Sequence, residues 1–187
     1  SELRYYGKPI PSLQGMDSNG RVVYLGSFSS TLFPSIKISY MVLPDQLLAY
    51  ARESMDSYRQ TCSKAEQLTL ALYMKNGLFQ THIKKLRRLY AQKMQKAAGA
   101  VRKHFGGAVQ ILQSVSGDHM LLSLDMTTPA DFLCQQARLL HLDISPVVYF
   151  SKAKSAEEAH LLVFHFAQIP LDKIDSSLKA LAEAVRV

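Results

Sequence analysis

The chain has 187 residues, 48% hydrophobic and 20% charged, a composition that favours a folded globule and excludes intrinsic disorder. Its length suits one domain or two small lobes. No apolar run approaches the roughly 18 residues of a membrane span, and residues 1–20 lack the pattern of a signal peptide. We therefore expect a cytoplasmic protein without a membrane partner. Because position 1 is Ser, we also expect a processed chain or a piece of a longer one.

The first half of the chain predicts an irregular lead-in, two strands and two helices. Glycines and prolines interrupt any periodicity over residues 1–20. Short runs rich in β-branched and aromatic residues then flank a Ser-rich loop, and Pro44 followed by Asp45 marks a helix start. The predicted elements are strands at 21–25 and 38–43 around a loop at 27–35, and helices at 45–57 and 63–75.

A long basic helix is predicted over residues 77–106. The net charge of +7 is concentrated there, since this segment has eight Lys and Arg and no acidic residue, which leaves 14 basic against 15 acidic residues elsewhere. Apolar residues recur every three or four positions, as on one face of an α-helix. We expect the basic residues on the solvated faces, with a phosphate-binding or acidic-partner surface as the alternative. The apolar positions are Phe79, Ile83, Leu86, Tyr90, Met94, Ala97, Val101 and Phe105.

The second half of the chain predicts strands alternating with helices. The turn Ser116-Gly117-Asp118 between two strand-like runs resembles a hairpin. The expected fold class is therefore α/β, with a seam between the long helix and the strands that begin near Ala108. The predicted elements are strands at 108–115, 120–124, 147–150 and 161–167, and helices at 128–140 and 171–185.

Few residues suggest chemistry. The six histidines have no metal-ligand spacing, so we predict no metal site, and Cys62 and Cys134 sit in helical patterns that predict buried thiols. No nucleophile elbow, P-loop or dinucleotide motif is present. Hydroxyls at 27, 29, 30 and 31 beside Gly26 and Lys37 could hold a phosphate, and a serine-rich turn that caps a strand explains the same composition.

Three ordered motifs occur along the chain. Residues 24–40, YLGSFSSTLFPSIKISY, resemble the cofactor loop of the MocR group of GntR-type regulators, which reads Y-x-G-T/S-F-S-K-x-L-x-P-x-x-R-x-x-Y. Residues 82–90, HIKKLRRLY, look like its H-I-R-R-M-R-x-x-Y helix, which Gln67 and Gly77 usually precede. Residues 117–119, GDH, are similar to its A-G-x-H turn. The resemblance covers essentially the whole chain.

The resemblance implies a fold and a cofactor. Such regulators join an N-terminal winged-helix DNA reader to a domain like the fold-type I aminotransferases, where a lysine binds pyridoxal 5'-phosphate covalently. It implies that this chain holds a large-lobe remnant at 1–76, the connecting helix at 77–106 and the small α/β lobe at 107–187. The DNA reader and the aspartate and tyrosine that contact the cofactor ring would lie outside this chain.

The chain departs from the family at two functional positions. Ser30 occupies the position of the lysine that binds the cofactor, and a hydroxyl cannot replace an amine in that reaction. Natural loss and deliberate replacement are both compatible with this serine. Gln168 replaces an arginine expected to clamp an effector's carboxylate, and Tyr40, at the end of the first motif, is the second expected effector residue. The resemblance leaves Ser27, Ser29, Ser30 and Lys37 as cofactor-binding residues.

The leading hypothesis is the effector-sensing and dimerisation part of a bacterial MocR-type regulator, with no catalytic residue and no covalent cofactor. Its partners would be a second subunit, an amino acid or pyridoxal 5'-phosphate as effector, and DNA only through the absent winged-helix domain. Because the resemblance places part of the large lobe outside this chain, we expect exposed apolar surface and self-association. The alternatives are a portion of a pyridoxal phosphate-dependent class I/II aminotransferase and a module that binds nucleic acid through the basic helix.

Overall fold

The computed structural model describes residues 3–8, 10–29, 31–33, 35–55, 57–59, 61–113, 117–125, 129–151 and 156–185. The chain divides into two compact units. We call Lys8–Lys84 the loop unit, and Leu3–Gly7 with Lys85–Val187 the sheet unit. The division falls inside the long helix, between Lys84 and Lys85.

Among its described residues, the loop unit contains a two-stranded antiparallel hairpin and three complete helices. Its small core consists of Ile36, Ile38 and Leu70, against which Phe28, Leu32 and Cys62 pack. A short helix in the lead-in, which the sequence predicted as irregular, begins where Ser12 accepts a hydrogen bond from Gly15 N. The elements are α1 (Leu13–Met16), β1 (Tyr24–Ser27), β2 (Ser39–Val42), α2 (Asp45–Met55), α3 (Lys64–Lys75) and the start of α4 (Leu78–Phe105).

Local signals set both ends of α3. The Ser63 side chain accepts a hydrogen bond from Glu66 N and so satisfies a free amide of the first turn. Gln67 Nε2 donates to the Cys62 carbonyl at 3.1 Å, which ties the helix to the residue before its cap. At the other end Gly77 has φ of 70°, a conformation that favours glycine and separates α3 from α4.

Helix α4 has the apolar face that the sequence predicts. All eight predicted positions are buried or half-buried, from Phe79 to Phe105. Seven of the eight basic residues are exposed, as predicted, but Lys93 is 8% exposed. The expectation of a fully solvated basic face is therefore wrong at Lys93, whose Nζ donates to the Ala167 carbonyl.

The sheet unit is built on a four-stranded antiparallel sheet in the order β3-β4-β6-β5. Alternate residues of β4 and β6 are buried, which includes Met120, Leu122, Leu162 and Phe164, and they join the main core with helical residues. The predicted hairpin is confirmed by the antiparallel pairing of β3 and β4. The elements are the rest of α4, β3 (Val109–Gln113), β4 (His119–Leu124), α5 (Ala130–Leu139), β5 (Asp143–Pro146), β6 (Leu161–His165) and α6 (Ile174–Val185).

One predicted strand is misplaced. Residues Val147–Tyr149, which the sequence predicts as strand, form a 3-10 turn, and the strand is β5 immediately before them. Ile144 and Pro146 are buried while Asp143 and Ser145 are not, so the alternation of burial falls on 143–146. Pro146 is tolerated because β5 is an edge strand.

The cysteine prediction holds for one of the two thiols. Cys134 is buried on α5, and burial, with the charge of Asp131 as a smaller cause, raises the pKa of its thiol to about 11. Cys62 is only half-buried, because it lies in the loop between α2 and α3 and not on a helix. Among the described residues, no helix combines the length and apolarity that crossing a membrane requires.

Candidate functional site

The serine loop, residues 27–37, connects β1 to β2 and is closed by its own hydrogen bonds. Phe28 N donates to the Ile38 carbonyl at 3.0 Å, and Leu32 N donates to the Phe28 carbonyl at 2.9 Å. Ser29 Oγ donates to the Ile36 carbonyl at 2.8 Å and lies 3.0 Å from Ser27 Oγ, which also accepts from Ser29 N. The two hydroxyls therefore brace the turn.

The start of α4 is anchored to this loop through a histidine. Nε2 of His82 lies 2.9 Å from the carbonyl oxygen of Thr31, in position to donate a hydrogen bond. Thr31 is 5% exposed, and its hydroxyl donates to the Phe28 carbonyl at 3.3 Å. His82 is the first residue of the second motif, and the resemblance assigns it no role. The structure shows that it satisfies a buried backbone carbonyl.

The glycine of the first motif makes room for an aromatic ring. Gly26 pairs with Tyr40 across the hairpin, and a Cβ at Gly26 would lie 2.2 Å from Cζ of Tyr40. The ring of Phe28 lies close to two other aromatic rings. Its centroid is 5.3 Å from that of Tyr40 and 5.8 Å from that of Phe79. In this structure the ring of Tyr40 occupies the space that the glycine leaves.

The predicted cofactor ligands are only partly available. Ser27 and Lys37 are exposed, whereas Ser29 is half-buried and its hydroxyl is engaged within the loop. Ser30 lies outside the described residues. The structure therefore brings Ser27, Ser29 and Lys37 into one loop, in which Ser27 is more exposed than Ser29.

The two predicted effector residues lie in different units. Tyr40 belongs to the loop unit and is 38% exposed. Gln168 belongs to the sheet unit, where it follows β6 and is exposed. The amide side chain of Gln168 is thus accessible, as a carboxylate-binding group must be.

A cavity of about 470 Å³ borders the serine loop on the α3 side. This volume lies within the range of small-molecule pockets. No local motif indicates this cavity, because its walls come from three separate segments and it is mostly apolar. Its walls are formed by Leu32, Phe33, Ile36, Ala65, Glu66, Thr69, Leu70, Tyr73 and His82.

The residues present fit only part of pyridoxal 5'-phosphate. The exposed residues Ser27 and Lys37 carry a hydroxyl and an ammonium, which are groups of the kind that bind phosphate. Covalent attachment of its aldehyde needs an amine, and the sequence has serine at position 30. The residue types of the loop are therefore compatible with the phosphate, and serine at position 30 lacks the amine of the family's attachment point.

Known proteins similar to this chain fall into two groups. An HTH-type transcriptional regulator of Bacillus subtilis, YdeL, is 42% identical over 78% of this chain and 32% of its own length. The probable rhizopine catabolism regulatory protein MocR of Rhizobium meliloti is 31% identical over 79% of this chain and 30% of its own. The chain thus spans about a third of these regulators. No family model matches it.

The fold is that of an aminotransferase. The alpha-aminoadipate aminotransferase LysN of Thermus thermophilus, solved with N-(5'-phosphopyridoxyl)-L-leucine, superposes with a TM-score of 0.81 and 21% identity. The match covers 99% of this chain and 48% of LysN. At this identity the likeness shows the fold alone. The chain is thus a homologue of the MocR-type HTH transcriptional regulators and has the fold of the fold-type I aminotransferases.

Proposed function

We propose that this chain is the effector-sensing and subunit-contact part of a bacterial MocR-type transcription regulator, without covalent cofactor chemistry. Serine at position 30, within an otherwise well-matched cofactor loop, is the observation that carries this proposal. Without an amine there, the loop can recognise a phosphate or an amino-acid effector but cannot form the covalent bond that transamination requires. When bound, pyridoxal 5'-phosphate supplies an electron sink for amino-acid chemistry.

The loop geometry supports recognition over catalysis. Ser27 and Lys37 are exposed residues that carry a hydroxyl and an ammonium, and these groups are proposed to contact the phosphate. Ser29 holds the turn through the Ile36 carbonyl, and we assign it the role of orienting Ser27. Lysine at 37 supplies charge without the two-pronged geometry of arginine. Tyr40 and the amide of Gln168 are proposed to contact the effector.

The partners follow from the regulator homology. In this proposal residues 1–76 are the large-lobe remnant, 77–106 the connecting helix and 107–187 the small lobe. DNA would be bound by an N-terminal HTH domain of the whole protein, so the protein would act in the cytoplasm. The part of the protein that this chain represents would pair with a second subunit. Effector binding would bias lobe closure and so reposition the DNA readers of the dimer.

A titration with pyridoxal 5'-phosphate tests the proposal. The chain, a Ser30→Lys variant and a Ser35→Lys control are titrated, reduced with borohydride and mapped by mass spectrometry. Ser35 is exposed in the same loop, so the control adds the same amine at a position outside the attachment site. We expect a specific adduct only at position 30 of the Ser30→Lys variant, because only that change restores the attachment point.

Three outcomes would contradict the proposal. A specific covalent adduct on the unmodified chain would show that another amine performs the attachment, and amino-group transfer by that chain would favour the aminotransferase alternative. Labelling of the Ser35→Lys control to the same extent as the Ser30→Lys variant would show that the loop does not select position 30.

In the Ser30→Lys background, Lys37→Gln should weaken the affinity for the cofactor, since it removes the cation proposed to contact the phosphate.

A further inference from the structure

Three metal-ligating side chains meet at one end of the central strands of the sheet unit. Asp118, His119 and His165 each offer a ligand atom, and these atoms all lie within 4.8 Å of one another. His119 and His165 are 46 positions apart in the sequence, so no local motif announces the cluster. The cluster is separate from the serine loop, which belongs to the other unit.

The strand register brings the two histidines together. His119 of β4 and His165 of β6 are Cα partners in the antiparallel pair, and their ring centroids lie 5.4 Å apart. Phe166 N donates to the Asp118 carbonyl, so the adjacent pair, His119 and His165, occupies a non-hydrogen-bonded site. Side chains approach each other most closely at such sites. The proximity of the imidazoles is therefore a property of the sheet.

The backbone on both sides of the cluster is fixed by contacts that leave the ligand atoms available. Gly117 N donates to the Leu3 carbonyl at 3.2 Å, and the Tyr5 hydroxyl donates to the Gly117 carbonyl at 3.1 Å. Near His165, the buried Lys93 donates to the Ala167 carbonyl. A site held in this way before binding loses less conformational entropy when an ion arrives.

The ligand atoms are accessible and chemically suited to an ion. The side chains of Asp118 and His119 are 54% and 48% exposed, and Nδ1 of His119 lies 2.9 Å from Oδ1 of Asp118. Ligand atoms around a tetrahedral Zn²⁺ lie about 3.3 Å apart for bonds of roughly 2.0–2.1 Å. Small side-chain rotations would therefore bring the three groups from their present separation to that geometry.

We propose that Asp118, His119 and His165 bind one divalent transition-metal ion, with Zn²⁺ as the expected occupant. Two imidazoles and one carboxylate favour Zn²⁺, Cu²⁺ or Ni²⁺ over Mg²⁺ and Ca²⁺, which prefer all-oxygen ligands. Three protein ligands leave a fourth position of a tetrahedral ion open to water or to an oxygen of a small molecule. The site needs neither the pyridoxal cofactor nor a second subunit.

The test is a titration of the metal-free chain with ZnCl₂ in competition with a chromophoric chelator. We expect one equivalent to bind, and we expect His119→Gln and His165→Gln each to weaken the affinity by at least about tenfold, because each removes a direct ligand. His160→Gln is the matched control, since His160 is exposed and lies outside the cluster. Cys62→Ser checks that the half-buried thiol does not bind the ion.

Co²⁺ in place of Zn²⁺ should give visible absorption bands of a low-symmetry site, and His119→Gln should abolish them. His119 is the decisive position because its side chain is half exposed and its replacement leaves the core intact. Circular dichroism verifies that each variant folds. The proposal is overturned if the metal-free chain binds no stoichiometric Zn²⁺, if His119→Gln binds as tightly as the parent, or if His160→Gln or Cys62→Ser loses the ion.

Discussion

Lys93 is buried, although the other seven basic residues of α4 are exposed. Burial lowers the pKa of its ammonium, and the Ala167 carbonyl is the acceptor that the fold supplies. The helical pattern alone could not reveal this, because Lys93 precedes Met94 at the margin of the apolar face and its acceptor lies 74 residues further along the chain.

Replacing Lys93 with methionine should destabilise the sheet unit. Methionine can fill the space of the aliphatic stem but cannot donate, so the Ala167 carbonyl loses its partner at a cost of about 1–3 kcal/mol. Urea unfolding measures the difference. Lys96→Met on the same helix is the control, since Lys96 is exposed and its loss should change the free energy of unfolding by less than about 0.5 kcal/mol. Equal effects of the two changes would refute the role assigned to Lys93.

Gly26 carries a second prediction at the residue scale. In Gly26→Ala the new methyl group would overlap the Tyr40 ring, so the ring must leave its place against Phe28. We expect a loss of about 1–3 kcal/mol in the free energy of unfolding, the usual range for overpacking. In a Tyr40→Ala background the same change should cost much less, because the obstacle is gone. Additive effects of the two substitutions in a double-mutant cycle would contradict this explanation.

At the scale of elements, a charged contact joins the end of α4 to the start of α6. Nε2 of His104 lies 3.2 Å from Oδ1 of Asp175, and Nζ of Lys103 lies 3.5 Å from Oδ2. Asp175 is in the first turn of α6, where a negative charge also interacts favourably with the helix dipole. The hydrogen bond from His104 is the main cause that lowers the pKa of the Asp175 carboxyl below its usual 3.8.

This contact predicts a pH dependence. Because the folded state holds Asp175 ionised to lower pH than the unfolded state does, its contribution is present above about pH 3.8 and is lost as the pH falls through the lower folded pKa. Asp175→Asn should therefore reduce the urea midpoint more at about pH 6 than at about pH 3. Asp172→Asn, an exposed neighbour outside the contact, should show no such difference. A pH-independent effect of Asp175→Asn would count against the ion contact.

Element positions were largely predictable because burial imposes strong periodicity. The face of α4 from Phe79 to Phe105 and the β3–β4 hairpin follow directly from apolar spacing. The strand predicted at residues 147–149 was wrong because their β-branched and aromatic side chains favour a strand, whereas the sheet pairing ends at Pro146. Local preference could not reveal where the neighbouring strand stops.

The candidate site was predictable only where one local segment contains it. The serine loop could be located from its motif, although the internal bond from Ser29 to the Ile36 carbonyl could not. The cavity beside the loop and the cluster at Asp118 depend on residues brought together from distant segments. Such proximity follows from tertiary packing and strand register, which spacing along one sequence does not encode.

At the scale of the whole molecule, apolar surface on the loop unit predicts self-association. Leu68 and Leu72, one turn apart on α3, are 66% and 58% exposed, and Tyr50 on α2 is 71% exposed. Exposed apolar side chains such as these favour contacts between copies, since association removes them from water. We therefore expect sedimentation velocity to show species larger than the monomer, with a fraction that rises with protein concentration.

The double variant Leu68→Glu with Leu72→Lys tests this surface while it keeps the net charge unchanged. It should shift the sedimentation profile towards monomer, because two charges would have to be desolvated in any contact through α3. The matched control is Leu139→Glu with Tyr149→Lys in the sheet unit, where both side chains are exposed to a similar degree. That control should still associate. A sharp monomer boundary for the unmodified chain at every concentration would refute self-association, and equal effects of both double variants would show that α3 is not its surface.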